Sequence, residues 1–443
     1  MKAEILTIGD ELLRGEIVDS NKSVLSERLL NLDIESHWHT STRDDPEAMT
    51  DAFRHAVGRS DVVLVSGGLG PTRDDLTADV LARTFGRELV LDESSLETIR
   101  SFFRSVGREM TENNAKQAYF PEGAEVLANP IGTAPGFMLE VDGTVIFCMP
   151  GVPREMQRMM DEQVLPRLAA RMARDRGESV VRATLLRTFG MGESTLDAEL
   201  KDIAASGDVS LGFRTTFPDN YLRPVARASS AEEAEAKLAR VCEQIRERLG
   251  ALVYAEGDLS MEAVVGQLMQ GLGHTIAVAE SCTGGLIAER VTSVPGASDY
   301  FLGGVVAYDN AAKSSLLGVP EALLEEHGAV SEPVVRAMAE GVRERFGADL
   351  GLATTGISGP GGGSPGKPVG LVHIALAQAE ERGTHSDHFV FPLDRERHRA
   401  ITAQVGLDWV RRSLLGVALE GPTLLRRRGG GPAPAESGAD GKP

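Results

Sequence analysis

The segment of this chain best placed to do chemistry is Ala279-Glu280-Ser281-Cys282-Thr283-Gly284-Gly285-Leu286, where an apolar strand-like run passes straight into a helix-patterned one. A hydroxyl at that junction faces the free N–H groups of a first helical turn, and those donors can stabilise an oxyanion on an attacked carbonyl. Gly284 and Gly285 let a ligand or another backbone come close, which makes Thr283 and Gly284 candidate substrate contacts. The same segment is at least as consistent with Ser281 serving only as a helix N-cap. Cys282 offers a second nucleophile. No histidine lies near it in sequence, however, and burial is the commoner fate of such a thiol.

A serine nucleophile needs a base. Val306-Ala307-Tyr308-Asp309-Asn310-Ala311-Ala312-Lys313 supplies one, with Tyr308 at a strand end and Lys313 at the start of the next helix. A lysine partly shielded from water loses its proton more readily and can then activate a hydroxyl; the alternative is an ordinary surface lysine. The run from Thr354 and Thr355 through Gly356 to Gly363 follows a strand and exposes backbone amides able to hold a phosphate. It lacks the Lys-Ser/Thr ending of a nucleotide P-loop. Alone it reads equally well as a surface loop. Arg395, after the strand expected over 387–391, could pair with a phosphate or carboxylate.

Near the other end of the chain, Ser66-Gly67-Gly68-Leu69-Gly70-Pro71-Thr72-Arg73-Asp74-Asp75 joins a buried strand to a helix. Gly68 and Gly70 allow amides to approach a ligand and Thr72 adds a donor. Asp74 and Asp75 would repel a bare phosphate, a conflict that a divalent cation between them removes. Adjacent side chains diverge, so at most one of the two need bind it. A helix start favouring acidic residues explains the pair as well.

The elements that must position these residues alternate. Strands at 2–8, 61–66 and 144–149 are separated by helical stretches at 16–30 and 75–85, pointing to a mainly parallel α/β sheet over residues 1–170. Residues 171–255 read as a small α+β module: strand-like 180–188, helical 193–203, strands 209–216 and 221–228, then a helix over 231–249. A third α/β unit covers 260–416, with a helix expected over 281–291. The Arg- and Gly-rich end from 426 to 443 has no means of building a core and is expected to be disordered. The fold class is therefore two α/β domains joined by a small α+β module.

Composition narrows the chemistry. The 443 residues carry 46 basic and 65 acidic side chains, a formal charge of -19, which argues against a nucleic-acid-binding face. No apolar run approaches the roughly 18 residues needed to span a bilayer. Three widely spaced cysteines, Cys148, Cys242 and Cys282, suggest neither a disulfide framework nor a zinc site. A cytoplasmic location is expected.

The C-terminal blocks AESCTGG, GAS (Gly296-Ala297-Ser298), VAYDNAAK and ATTGISGPGGG resemble, in order and spacing, the C-terminal domain of the CinA family. The resemblance implies a nicotinamide-nucleotide amidohydrolase that turns nicotinamide mononucleotide into nicotinate mononucleotide and ammonia without a cofactor. It places Ser281 as nucleophile and Lys313 as base, with Tyr308 and Ser298 as supporting hydroxyls. Thr355, Gly356 and Arg395 fall where substrate is served. The N-terminal blocks GDELLRGEIVDSN, SGGLGPTRDDLT, NPIGTAPGF and PGVPREM resemble the molybdopterin-binding-like domain of the same family. That likeness implies a metal-dependent ADP-ribose pyrophosphatase using Gly68, Gly70, Thr72, Asp74 and Asp75. The middle module resembles the family's KH-like linker, although it carries no GXXG loop of the RNA-binding kind. A homodimer acting on small nucleotides is the resulting expectation, with no direct nucleic-acid or membrane partner. The rivals are a molybdopterin-binding protein of cofactor biosynthesis and a non-catalytic partner in competence or recombination.

Overall fold

The structure, a computed structural model, describes residues 1–176, 180–379 and 382–423. The tail expected to be disordered from 426 lies outside the described residues. By their contacts the residues fall into two compact units, Met1–Ala183 with Val225–Glu235, and Thr184–Pro224 with Ala236 onward.

The first unit is built on a six-stranded sheet in the order Ser36–Thr42, Ala3–Ile8, Val62–Ser66, Thr144–Met149, Gly136–Val141, Glu125–Leu127. The first four strands run parallel and the last two antiparallel. The three central parallel strands are buried along their whole length, as strands covered on both faces must be. One face packs on Pro46–Arg59 and Thr77–Thr84; the other packs on Ser20–Leu30 and the helical stretch that begins at Pro153. Because the central strands are parallel, the loops at Gly9, Gly67–Asp75 and Pro150 leave one edge of the sheet together, where open α/β sheets bind ligands.

The second unit carries a five-stranded sheet in the order Phe301–Val306, Ile276–Glu280, Leu350–Gly356, Leu371–Ala377, Thr384–Val390. The first three are parallel and the last two antiparallel. Val278, Leu352, Ile374 and Leu376 pack on the helices Met261–Leu272 and Arg395–Leu414. Ala277, Ala279, Ala353 and Ala375 meet Glu332–Phe346 on the other face, where small residues let the helix approach closely. Part of the middle module shares this core. Leu186–Thr188 pairs antiparallel with the start of Asp219–Ala228 and with Val253–Glu256, and Phe189 and Tyr254 pack among Met261, Val265 and Trp409.

Several elements differ from the sequence reading. The helix expected over 281–291 runs over Leu286–Thr292, because Gly284 and Gly285 take positive φ (59° and 94°) and form a turn first. The helix expected from 16 starts at Ser20, where Asp19 caps it by accepting from the Lys22 amide. The strand-like run 180–188 is two strands, Val180–Ala183 and Leu186–Thr188. The strand placed at 387–391 runs over Thr384–Val390.

Candidate active sites

Ser281 follows the central strand Ile276–Glu280 of the C-terminal sheet. Its amide donates to the Thr354 carbonyl (3.0 Å) on one side, and the Ala307 amide donates to the Glu280 carbonyl (2.9 Å) on the other. The ends of three parallel strands thus bring the serine, the Tyr308–Lys313 segment and the Thr355 loop to one edge. Ser281 is 8 % exposed. It is not the helix N-cap; Gly285 holds that position. The cap reading is therefore set aside.

The amides offered as oxyanion donors need correction. Those of Gly285, Ile287 and Ala288 all point at the buried Glu280 carboxylate, at 3.0, 3.1 and 2.8 Å. A carboxylate accepting three N–H bonds is a strong clamp and leaves them no capacity for a reacting oxygen. The turn amides of Cys282 and Thr283 remain, and both also bear on the Cys282 sulfur. Glu280 was missed because its signal is weak: one acidic residue ending an apolar strand.

Lys313 is 1 % exposed, so it is no surface lysine. Its Nζ donates to the carbonyls of Ala307 (2.9 Å) and Tyr308 (3.1 Å). Burial pushes its ammonium below the ordinary lysine value, while Asp309 and Cys282 pull the other way. Among the described residues these two carbonyls are its hydrogen-bond partners, Ser281 is not one of them, and Cys282 is a charge neighbour of the amine. Two of its three donors are held by carbonyls, leaving one valence for the site. Cys282 is buried and its thiol is pushed up to about 12 by burial, which removes it as a nucleophile at neutral pH.

The remaining candidates divide. Tyr308 is largely exposed and its hydroxyl accepts from Arg395 Nη2 (3.1 Å), while Arg395 Nη1 donates to the Gly359 carbonyl (3.0 Å). Tyr308, Arg395 and the glycine loop are therefore one group. Thr283 turns inward, its hydroxyl 2.8 Å from that of Thr354, and its carbonyl accepts two bonds from Arg399. Gly284 is exposed beside it. Thr355 is buried and donates to the Ala329 carbonyl (2.9 Å). A Cβ on Gly356 would sit 2.7 Å from the Leu371 carbonyl, so this glycine serves close strand packing. Ser298 does not join the group within one chain. It stands exposed before Phe301–Val306, whose register pairs Phe301 with Ile276 and Val306 with Glu280. The serine turn is thus at the opposite sheet edge, about 16 Å away at the usual rise per residue. Spacing missed two further groups. The Ser358 hydroxyl is buried in the glycine loop with no hydrogen-bond partner among the described residues, and Arg399 braces the serine turn.

In the N-terminal unit, a cleft of ≈ 400 Å³ is lined by Gly67–Gly70, Asp74 and Asp75 together with Glu11, Asp44, Thr133 and Glu155. Gly68 (φ 68°) lies so close to Thr77 that a Cβ would meet its hydroxyl at 2.2 Å. Thr72 is occupied within the loop, its hydroxyl donating to Asp74 and Asp75 and its amide donating to Asp75 (2.8 Å). Asp75 thus holds the loop, and Gly70 is where its carboxylate fits. Asp74 is exposed at the cleft wall, one of its carboxylate oxygens accepting from Thr72. Burial pushes the Asp44 carboxyl up, and the nearby charges of Glu11, Asp74 and Asp10 add to this, against a hydrogen bond from the Asp10 amide. Such crowded carboxylates suit a cation. Among the described residues no three His, Cys, Asp or Glu side chains form a ligand group, so a cation at Asp74 would complete its shell with phosphate oxygens and water. Beyond the same glycines lies an apolar cleft of ≈ 540 Å³, walled by Leu69, Leu76, Tyr119, Phe120 and Phe137.

Family models match the chain in sequence order: a probable molybdopterin binding domain over 4–170, a damage-inducible protein CinA KH domain over 183–255 and a CinA C-terminal domain over 258–414. A CinA-like protein of Dictyoglomus thermophilum is 43% identical over 418 residues, covering 94% of this chain and 100% of the relative. This chain belongs to the CinA family. A CinA-like protein of Geobacter sulfurreducens is 44% identical over 416 residues, with 94% and 100% covered. The crystal structure of a CinA protein from Thermoplasma acidophilum, described as of unknown function, is 33% identical. It covers 37% of this chain and 96% of its own, with a TM-score of 0.35. The CinA match places all three segments in one family architecture. Among the described residues, no helix is long and apolar enough to cross a membrane.

Proposed function

We propose that the C-terminal domain is a serine amidohydrolase acting on the carboxamide of nicotinamide mononucleotide, releasing nicotinate mononucleotide and ammonia. The observation that carries this reading is a buried lysine at the same strand edge as an uncapped serine and a glycine-rich loop. Ser281 Oγ attacks the carboxamide carbon and its proton passes to the Lys313 amine, whose deprotonated form burial favours. The oxyanion is held by the turn amides of Cys282 and Thr283. The C–N bond breaks as Lys313 returns the proton to the leaving nitrogen, giving ammonia and a Ser281 ester. Water, deprotonated by Lys313, then adds to the ester carbonyl and regenerates the hydroxyl. Arg395, Ser358 and the amides of the glycine loop form a cradle for the phosphate. Tyr308, tied to Arg395, closes one side. The test is ammonia release from nicotinamide mononucleotide by the purified chain. Ser281→Ala is expected to lose it by a factor of about a thousand or more, with circular dichroism unchanged. Full activity in that variant would exclude a covalent route.

A second reading applies to the N-terminal domain, and its two adjoining clefts favour it. The acidic side suits a diphosphate with a divalent cation, and the apolar side suits a planar base. The diphosphate and the adenine of ADP-ribose match these two sides. Asp74 would hold the cation, with phosphate oxygens and water completing its shell, and the ion would neutralise phosphate charge when bound. The backbone of Gly67–Gly70 lines the cleft in which the diphosphate would lie. A pterin also meets the demand for a flat ring, so molybdopterin binding is the competing outcome. Cation-dependent conversion of ADP-ribose to AMP and ribose 5-phosphate selects the first. Tight pterin binding without turnover selects the second. The acidic charge balance offers no DNA-binding face for the remaining rival, a competence partner.

A further inference from the structure

The middle module has so far had no part in the chemistry, yet one of its side chains hydrogen-bonds a helix of the C-terminal domain and, through it, is linked to a second. Asp219, at the start of the strand Asp219–Ala228, accepts from Tyr254 Oη (2.9 Å) within its own module and from Gln404 Nε2 (2.7 Å) on the helix Arg395–Leu414. The side chain of Gln404 is almost wholly buried and its Oε1 accepts from Arg290 Nη2 (2.6 Å). Arg290 belongs to Leu286–Thr292, the helix that follows the Ser281 turn, and its guanidinium also pairs with Glu262 (2.6 Å). The two helices contacted in this way carry the groups that shape the site. Arg395 and Arg399, in the first turns of one, reach the glycine loop, Tyr308 and the Thr283 carbonyl. The first amides of the other are clamped by Glu280.

We propose that Asp219 is a positioning residue for the amidohydrolase site, acting through Gln404 and Arg290 to hold the helices that brace the serine turn and the glycine loop. This rests on the amidohydrolase reading for its kinetic consequence, but the linkage itself is independent of the substrate. The groups facing the Asp219 carboxyl are Tyr254 and Arg187 from the middle module, Arg290 and Gln404 from the two helices, and Glu262 from Met261–Leu272. Burial raises the carboxyl to about 6, with Glu262 adding to this, against the Tyr254 hydrogen bond and the charges of Arg290 and Arg187. Below about pH 6 the carboxyl therefore gains a proton, and the two incoming donors no longer share a charged acceptor.

The full-length chain is compared with Asp219→Asn and Gln404→Met, by ammonia release from nicotinamide mononucleotide between pH 5 and 8 and by amide hydrogen exchange. Both variants are expected to lower kcat about tenfold at pH 7.5 and to speed exchange in 281–292 and 395–404. The wild type is expected to show an acid limb near pH 6 that Asp219→Asn lacks. Gln404→Met carries the test should Asp219→Asn fail to fold. If the wild type releases no ammonia, the amidohydrolase reading falls. Exchange then decides the linkage alone: faster exchange in those two segments supports it, and unchanged exchange overturns it. Unchanged kcat, pH profile and exchange in both variants would also overturn it.

Discussion

Lys313 shows how a single residue's surroundings decide its chemistry. A lysine five residues beyond Tyr308 reads equally as a base or as a surface charge. Burial to 1 % exposure removes the second reading, because an ammonium is put in that position only at a cost. Its folded value is lowered, so the unfolded chain holds the proton more tightly. The cost is fully present below the folded pKa, and stability rises with pH from there toward the lysine value of about 10.5. Replacing Lys313 with Met removes that cost together with two hydrogen bonds to carbonyls. Lys313→Met is therefore expected to keep stability at pH 7 within about 2 kcal/mol of wild type. Ammonia release should fall by about a hundredfold or more. The wild type should gain stability relative to the variant as pH rises toward 10.5, as read by urea unfolding at pH 7 and pH 10. A variant that kept its activity would remove Lys313 as the base.

At the scale of elements, what was legible is what local pattern dictates. Apolar runs ending in Gly or Pro marked the parallel strands, and the chemistry-bearing blocks fell on the loops that follow them. The position of Ser281 at a strand end was readable for that reason. Two things were not. The turn at Gly284 and Gly285 displaced the helix start, because helical spacing does not reveal which glycines adopt positive φ. The separation of Ser298 from Ser281 depends on parallel register, which sequence spacing does not encode. The displaced helix gave Glu280 its role, since the freed amides needed an acceptor. Three N–H bonds to one buried carboxylate predict that Glu280→Gln costs about 1.5–3 kcal/mol in stability. Ammonia release should also fall, because the serine turn loses its anchor. Urea denaturation and initial rates measure the two effects. A variant as stable as wild type would mean that the amides find equal partners elsewhere.

For the molecule as a whole, the two candidate sites stand on two separate sheets, each with its own buried core. Among the described residues, the groups named at the C-terminal site all belong to the second unit, and those lining the Gly67–Asp75 cleft all belong to the first. Chemistry at one should therefore not require the other to be intact. The Asp74 carboxylate, held below the usual range chiefly by the Thr72 hydroxyl, stays ionised and able to meet a cation throughout the neutral range. Asp74→Asn removes that charge at an exposed position, where little stability is at stake. Under the pyrophosphatase reading it is expected to cut ADP-ribose hydrolysis at least tenfold and to raise the cation concentration needed for half-maximal rate. Ammonia release from nicotinamide mononucleotide should be unchanged. Ser281→Ala should show the converse pattern. Both rates are measured on the same preparations, so a difference in folding would lower both together and be recognised. A loss of both activities in either variant, with the fold intact by circular dichroism, would show that the two sites depend on one another despite their separate cores.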